Sequence, residues 1–275
     1  MENYILTRYL YSYMEVKHTL FLSILKKDFK QSLFWGYELY FSGFQEETFD
    51  YFIEIIDELY KKKPVSLKKL IQNEKNGWLK NNSLHLTLGN CISILCVNEY
   101  NLTPFIKKFF GVNCKKEEQN TIQSEEEFKM TDKLLEPLCT FEDHSMFPYK
   151  VLKLKQAYLP EKRFIDLLKI YYPEDVTDIV SGKWLYYASI SPIWHDRVKQ
   201  HSGEIDDERH AVNFTDDDAL DTFYNLWGYE PDEQNKQIQL NLGGKGSITQ
   251  LDLTAFCNEF HYRIPKTRRK KTITK

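Results

Sequence analysis

The first hundred residues carry apolar side chains at three- and four-residue steps, the spacing of amphipathic helices. The pattern predicts helices at about 14–27, 29–42 and 46–63. Gly43 and Phe44 form the pair expected at a Schellman stop, in which a left-handed glycine precedes an apolar residue. The three predicted apolar stripes are Val16, Leu20, Phe21 and Ile24; Leu33, Phe34, Tyr37, Tyr40 and Phe41; and Phe49, Phe52, Ile53, Ile56 and Tyr60.

Very short links join these helices, so neighbouring helices must lie antiparallel. Further helices are predicted at Ser66–Lys80, at Leu84–Val97, and from an N-cap at Thr103 to about Gly111. We therefore expect a mainly α fold of layered antiparallel helices, either HEAT-like or a helical bundle, with 1–111 as its N-terminal region. No residue-level repeat at a fixed period supports the HEAT-like alternative.

Residues 112–132 are polar and charged, which is typical of a linker or a long surface loop. The region 133–264 reads as α-rich, with helices expected at 163–172, 175–187, 192–200 and 216–227, the last with Thr215 as its N-cap. A short strand is predicted at Arg209–Phe214. Residues 236–242 fit either one strand of a small β-hairpin or a helix opening at Pro231, which we favour slightly. The basic end, 265–275, is expected to be disordered.

Composition narrows the class of protein. Hydrophobic residues make up 42% and aromatic residues 15% of the chain, enough for a core and too many for a wholly disordered protein. The net charge of −3 provides no field that would attract a polyanion or a membrane. The five cysteines form no regular framework, and neither a signal peptide nor a long apolar run is evident. We therefore expect a soluble intracellular protein with free thiols and no membrane partner.

Motifs for chemistry are scarce. The Gly243–Ser247 turn resembles a P-loop only superficially, because Gln239 stands where its first glycine would fall. No zinc spacing, calcium loop or nucleophile elbow is present, and the run Asp216–Asp218 is explained by helix capping. The sequence thus predicts no catalytic residue, no metal site and no cofactor.

One local cluster combines groups capable of acid–base or metal chemistry. His195, His201 and His210 lie among acidic residues that include Asp196, Asp206 and Asp207. No spacing organises them as ligands, so we expect them not to converge on one concave site. An enzyme of unknown type centred on His195–His210 remains one alternative function.

The basic C-terminal tail is a candidate nucleic-acid contact, since clustered Lys and Arg side chains neutralise phosphates without sequence preference. A nuclear-import signal or a solubilising end would look the same. An RNA- or DNA-associated subunit using this tail is a second alternative function. The candidate contacts are Lys266, Arg268, Arg269, Lys270 and Lys271.

Two segments, Leu33–Phe44 and Phe223–Gln234, resemble a poorly characterised protein family of nucleocytoplasmic large DNA viruses, the giant viruses of protists. The resemblance covers both ends of the chain, while 112–150 is the least similar part. It implies a viral protein made in the host cytoplasm, located in the viral factory or the virion. It supplies no catalytic residues.

The function we expect is that of a non-enzymatic helical scaffold or adaptor that binds protein partners in viral gene expression or particle assembly. HEAT-type scaffolds also organise translation-initiation complexes. Residues 100–106 are a near match to the Tyr-x4-Leu-hydrophobic motif with which such scaffolds bind the cap-binding protein, although Phe105 replaces the leucine. The corresponding candidate partner-binding residues are Tyr100, Phe105 and Ile106.

Overall fold

Helices make up most of the backbone in the computed structural model of the chain, which describes residues 4–60, 64–117, 128–139, 147–170, 182–228 and 248–265. The mainly helical prediction is confirmed. Within these ranges, no helix is both long and apolar enough to cross a bilayer. The helices are α1 (Tyr13–Leu25), α2 (Phe29–Tyr40), α3 (Gln45–Leu59), α4 (Pro64–Lys80), α5 (Leu86–Val97), α6 (Leu102–Phe110), α7 (Asp132–Cys139), α8 (Phe147–Ala157), α9 (Trp184–Ser189), α10 (Pro192–Gln200), α11 (Asp217–Trp227) and α12 (Leu253–Glu259).

Helix α2 is the centre of the N-terminal bundle, where it packs against α1, α3 and α5, and α4 packs on α3 and α5. Its Trp35 and Tyr37 are fully buried, because the helix is apolar on more than one face. The helix begins at Asp28, whose carboxylate accepts a hydrogen bond from the Gln31 N–H. The Schellman stop is confirmed: Gly43 has φ of 99° and the Phe44 N–H donates to the Leu39 carbonyl.

The C-terminal half packs directly on this bundle. The Tyr158 ring stacks on Phe34 with 3.6 Å between ring centroids. At the other end of α2, the Ile193 N–H donates to the Ser42 carbonyl at 3.2 Å. The N-terminal segment 4–12 lies between the halves. A single apolar core therefore continues from one predicted region into the other.

In the described ranges, the strands form two small antiparallel sheets. Strands β2 (Gly203–Asp206) and β3 (Ala211–Phe214) make a hairpin in which Gly203 pairs with Phe214 and Asp206 with Ala211. The strand predicted at Arg209–Phe214 is thus found, two residues shorter. Strands β1 (Lys115–Lys116) and β4 (Tyr262–Arg263), which are far apart in the sequence, pair antiparallel. The hairpin or helix expected at 231–246 lies outside the described residues.

Three local predictions need correction. Residues 163–169 form turns instead of a regular helix, and Lys169 ends them in a left-handed conformation with φ of 54°. Two helices begin one or two residues from the predicted cap, because an Asx side chain takes over the capping role. The N-cap of α6 is Asn101 and not Thr103, and its side chain accepts a hydrogen bond from the Thr103 N–H. The N-cap of α11 is Asp216 and not Thr215, and its side chain accepts a hydrogen bond from the Ala219 N–H.

The described ends of the polar segment 112–132 are packed against the helices. Cys114, Phe128 and Met130 are buried. The Met130 side chain lies so close to Gly89 of α5 that an added β-carbon there would be 2.4 Å from its Cγ. These apolar anchors within a polar sequence hold both ends of the segment on the core, while the domain boundaries stay a prediction.

Candidate ligand cavity beside His18

A partly open cavity of about 310 Å³ lies between α1, α3, α6 and the turn segment 167–170. Helix α1 contributes Met14, His18 and Phe21, which share one face because they are spaced by four and three residues. Most of the wall is apolar. The other side chains that line it are Lys17, Tyr51, Glu54, Ile55, Glu58, Phe105, Phe109, Phe110, Leu167, Leu168, Lys169 and Ile170.

His18 is the polar residue buried most deeply in this wall, with 2% of its surface exposed. Neither ring nitrogen has a hydrogen-bond partner among the residues that the structure describes. Burial lowers the pKa of His18 to about 4; Glu161 opposes this shift and Lys26 adds to it. The imidazole is therefore neutral at pH 7, with one N–H donor and one acceptor nitrogen.

Charged side chains of both signs line the cavity. The ammonium of Lys17 lies 4.3 Å from the centroid of the Tyr51 ring, and burial lowers the pKa of this lysine while Glu54 raises it. Glu58 forms an ion pair with Lys108. With Lys108, three lysines and two glutamates lie in or beside the wall, so its formal charge is slightly positive.

Helix α6 provides the aromatic side of the cavity. The rings of Phe21 and Phe105 are 5.8 Å apart between centroids, and those of Phe105 and Phe109 are 4.6 Å apart. Phe109 is half exposed. The cavity thus offers rings on two sides to whatever enters it.

The predicted partner-binding residues lie on or next to this helix. Ile106 is fully buried, and Phe105, 8% exposed, lines the cavity. The Tyr100 hydroxyl donates to the Leu25 carbonyl at 2.6 Å. Phe105 and Tyr100 thus contact α1, and the role of all three residues in partner binding stays a prediction.

A second buried polar cluster, the Arg8–Glu38 joint, consists of Thr7, Arg8, Tyr9, Glu38 and Ser42. The Glu38 carboxylate accepts from Arg8 Nε at 2.8 Å, from Thr7 Oγ1 at 2.6 Å and from the Tyr9 N–H at 3.0 Å. Ser42 Oγ accepts from the Arg8 N–H at 2.8 Å. Burial raises the pKa of Tyr9. These bonds fasten the N-terminal segment to α2.

Helices α10 and α11 complete the surroundings of the joint. Trp194 Nε1 donates to the Thr7 carbonyl at 3.0 Å. The Arg197 guanidinium lies 4.4 Å from the Trp194 ring centroid and 3.9 Å from that of Trp227. Burial, assisted by Arg8, lowers the pKa of Arg197 to about 9. The cluster thus connects three parts of the chain.

One lysine has a pKa in the range used by catalytic amines. Burial lowers the pKa of Lys155 to about 7. Its Nζ donates to the Leu10 carbonyl at 2.8 Å and lies 4.3 Å from the Tyr11 ring centroid. These contacts hold α8 against the N-terminal segment and account for the lysine structurally.

The three histidines singled out in the sequence have different neighbours. His201 Nδ1 is 2.9 Å from the Arg197 carbonyl, and its ring packs on Phe223. His210 packs on Tyr186, with 4.8 Å between ring centroids. His195 lies on α10. Within the described ranges, no group of three His, Cys, Asp or Glu residues is arranged to hold a metal ion. The nucleic-acid candidates Lys266, Arg268, Arg269, Lys270 and Lys271 lie outside the described residues.

No family model matches the chain. Neither a curated protein nor a solved structure matches it. The comparisons therefore identify neither family nor activity, and the resemblance to viral proteins stays a prediction.

No motif or spacing in the sequence singles out His18. The residue falls on the same side of α1 as Met14 and Phe21, and a single histidine beside apolar residues of a buried helix is most simply interpreted as part of the core. The feature that could have drawn attention to His18 is a polar residue among apolar neighbours, because polar residues are uncommon in a core. The cavity beside the ring could not be predicted from the sequence, because residues far apart in the chain form it.

Proposed function

We propose that the protein is a non-enzymatic helical scaffold that acts by binding, and that the His18 cavity is its recognition site. The observation that carries the proposal is a cavity of about 310 Å³, lined by three helices, with a nearly fully buried histidine in its wall. Preformed apolar cavities with a few polar groups are the usual form of small-molecule sites.

The chemistry of the cavity favours binding over catalysis. A general base works best when its pKa lies near the working pH. The pKa of His18, about 4, is too low for efficient proton abstraction at neutral pH. Of the carboxylates in the wall, that of Glu58 is held in an ion pair with Lys108.

An adaptor role in viral gene expression or particle assembly is part of the same proposal. It is supported by a bundle whose helices enclose a binding space and also leave large apolar side chains exposed, among them Val65 and Leu79 on α4 and Phe109 on α6. Exposed apolar side chains form partner-binding surfaces where they are contiguous.

The proposal can be tested by filling the cavity. Met14 lines the cavity and is half buried, so Met14→Trp should occupy part of the space. Binding of the apolar probe 2-methylnaphthalene would be measured by saturation-transfer NMR. We expect the wild type to bind and Met14→Trp to lose binding by tenfold or more.

The matched control is Leu70→Trp, which adds the same ring at an exposed position of α4 outside the cavity. This variant should bind the probe as the wild type does. Equal binding by Met14→Trp and the wild type would show that the cavity is not the recognition site.

A further inference from the structure

We infer that the ligand of the His18 cavity is a small amphipathic anion, a compact apolar body that carries a single carboxylate, and that Lys169 binds this carboxylate at the mouth of the cavity. The inference rests on the proposed function and specifies its ligand. Three observations carry it: the volume of the cavity, the apolar side chains that line it, and one lysine of its wall that pairs with no described carboxylate.

The volume and the wall of the cavity set the apolar part of the ligand. An engineered cavity of about 150 Å³ in a protein core holds benzene. The His18 cavity, at about 310 Å³, has roughly twice that space and so accommodates two fused rings. The rings of Phe105 and Phe109 can pack edge-to-face or offset against such a guest. Both ring nitrogens of His18 are buried within the wall, so the guest makes no hydrogen bond with them.

The charged side chains of the wall set the charge of the ligand. Glu58 is held in its ion pair with Lys108. Glu54 lies close enough to Lys17 to raise the pKa of that lysine. Lys169, in contrast, forms no ion pair with a residue in the described ranges. The excess positive charge of the wall therefore lies at Lys169, where it favours an anionic group over a neutral or cationic one.

Lys169 both lines the cavity and is exposed to solvent, so it lies at the cavity mouth. Its N–H donates to the Asp166 carbonyl at 3.2 Å, and the Ile170 N–H donates to the Ile165 carbonyl at 3.1 Å. These are the two hydrogen bonds of a Schellman turn, with Lys169 at its left-handed position. A carboxylate bound at this mouth keeps part of its hydration, so it avoids the large cost of burying a charge while the apolar body enters the cavity.

Three two-ring probes of similar shape test the inference by saturation-transfer NMR titration at pH 7. They are 2-naphthoate, which is an anion; 2-methylnaphthalene, which is uncharged; and 2-(aminomethyl)naphthalene, which is a cation. We expect 2-naphthoate to bind about fivefold more tightly than 2-methylnaphthalene, the upper end of the range for an ion pair open to solvent. The cation should bind most weakly. In about 0.5 M NaCl the advantage of 2-naphthoate should fall to about twofold or less, because salt screens exposed charges.

The variant Lys169→Asn removes the ammonium group, and asparagine tolerates the left-handed conformation. It should lower the affinity for 2-naphthoate about fivefold and leave that for 2-methylnaphthalene within about twofold. Lys27→Asn is the matched control, because Lys27 occupies the same position of a Schellman turn after α1, with φ of 55°, and lies outside the cavity. This control should bind all three probes as the wild type does. Circular dichroism would verify that both variants are folded.

Reversing the charge gives an independent test. Aspartate also tolerates the left-handed conformation, so Lys169→Asp places a carboxylate at the mouth of the cavity without changing the turn. This variant should bind 2-(aminomethyl)naphthalene more tightly than 2-naphthoate. The wild-type order of affinities in Lys169→Asp would contradict the inference.

The outcomes separate the inference from the proposed function. Equal affinity of the wild type for 2-naphthoate and 2-methylnaphthalene, or tightest binding of the cation, would overturn the inference but leave an apolar recognition site in place. A preference for 2-naphthoate that survives in Lys169→Asn would also overturn it. If none of the three probes binds, the proposed function fails as well.

Discussion

The Arg8–Glu38 joint and the His18 cavity both place polar side chains inside the N-terminal bundle, but their surroundings differ. In the joint, the Glu38 carboxylate accepts hydrogen bonds from a guanidinium, a hydroxyl and a backbone N–H. In the cavity, His18 is equally buried, yet both its nitrogens lack a partner among the described residues, and a space lies beside the ring.

This difference separates architecture from recognition. A buried carboxylate that accepts hydrogen bonds from several elements fixes how those elements pack. A buried polar group that the fold leaves unsatisfied lowers stability. The joint therefore holds the fold together, whereas the cavity is where we expect the protein to bind.

The largest expected effect is at the joint. Glu38→Gln removes the negative charge and leaves the buried Arg8 guanidinium without its ion pair. The free energy of unfolding should fall by about 3–5 kcal/mol, the usual loss when one partner of a buried pair is removed. Urea denaturation measures it. Asp57→Asn, which breaks the exposed ion pair with Lys68, is the control and should change stability by less than about 1 kcal/mol.

The next largest effect is the contribution of His18 to the pH dependence of the free energy of unfolding. Since the pKa of His18 is about 4 when folded and about 6.5 when unfolded, the unfolded chain binds the proton more readily between these values. The wild type should therefore lose about 3 kcal/mol more than His18→Leu as pH falls from 7 to 4. Urea denaturation at several pH values measures the difference, and parallel curves would contradict it.

A third prediction compares two glycines. Gly43 beside the joint has φ of 99°, and an added β-carbon would lie 2.4 Å from Cβ of Pro192. Gly43→Ala should lower the free energy of unfolding by about 2–3 kcal/mol. Gly77→Ala, in α4 with open space around it, should raise it by about 0.5–1 kcal/mol. Similar changes in the free energy of unfolding for the two variants would show that the surroundings of Gly43 accommodate a β-carbon.

The smallest effect runs against the usual direction of core substitutions. At pH 7, His18→Leu should raise the free energy of unfolding by about 1 kcal/mol, because it removes an unsatisfied polar group and keeps an apolar side chain of similar size. Thermal unfolding without added ligand measures it. A clear loss of stability would show that His18 is satisfied within the fold and would weaken the contrast with the joint.

Local patterns in the sequence account for much of the fold. The helices α1 to α3 and the stop at Gly43 follow from apolar spacing and from one glycine, and these depend on neighbours within a few residues. Residues 163–169 show the limit, because their apolar pattern is helical while the backbone forms turns that end at a left-handed Lys169. Tertiary contacts decide such segments.

The two polar sites could not be predicted for the same reason. The partner of Arg8 is Glu38, 30 residues away and within an apolar helix, where a glutamate gives no sign of being paired. The His18 cavity depends on the gap left between α1, α6 and the segment 167–170. A spacing pattern shows which face of a helix is buried, but not whether that face is filled.

The bond from Trp194 Nε1 to the Thr7 carbonyl has a consequence for synthesis, since 187 residues separate its two ends. Ribosomes add about 5–20 residues per second, so the N-terminal segment waits roughly 10–40 seconds after its own translation before its partner on α10 exists. During that time α1 to α5 can fold locally, while the segment 4–12 remains without its final cover. The covering of the joint by α10 is therefore a late event in synthesis, after the bundle beneath it has been made.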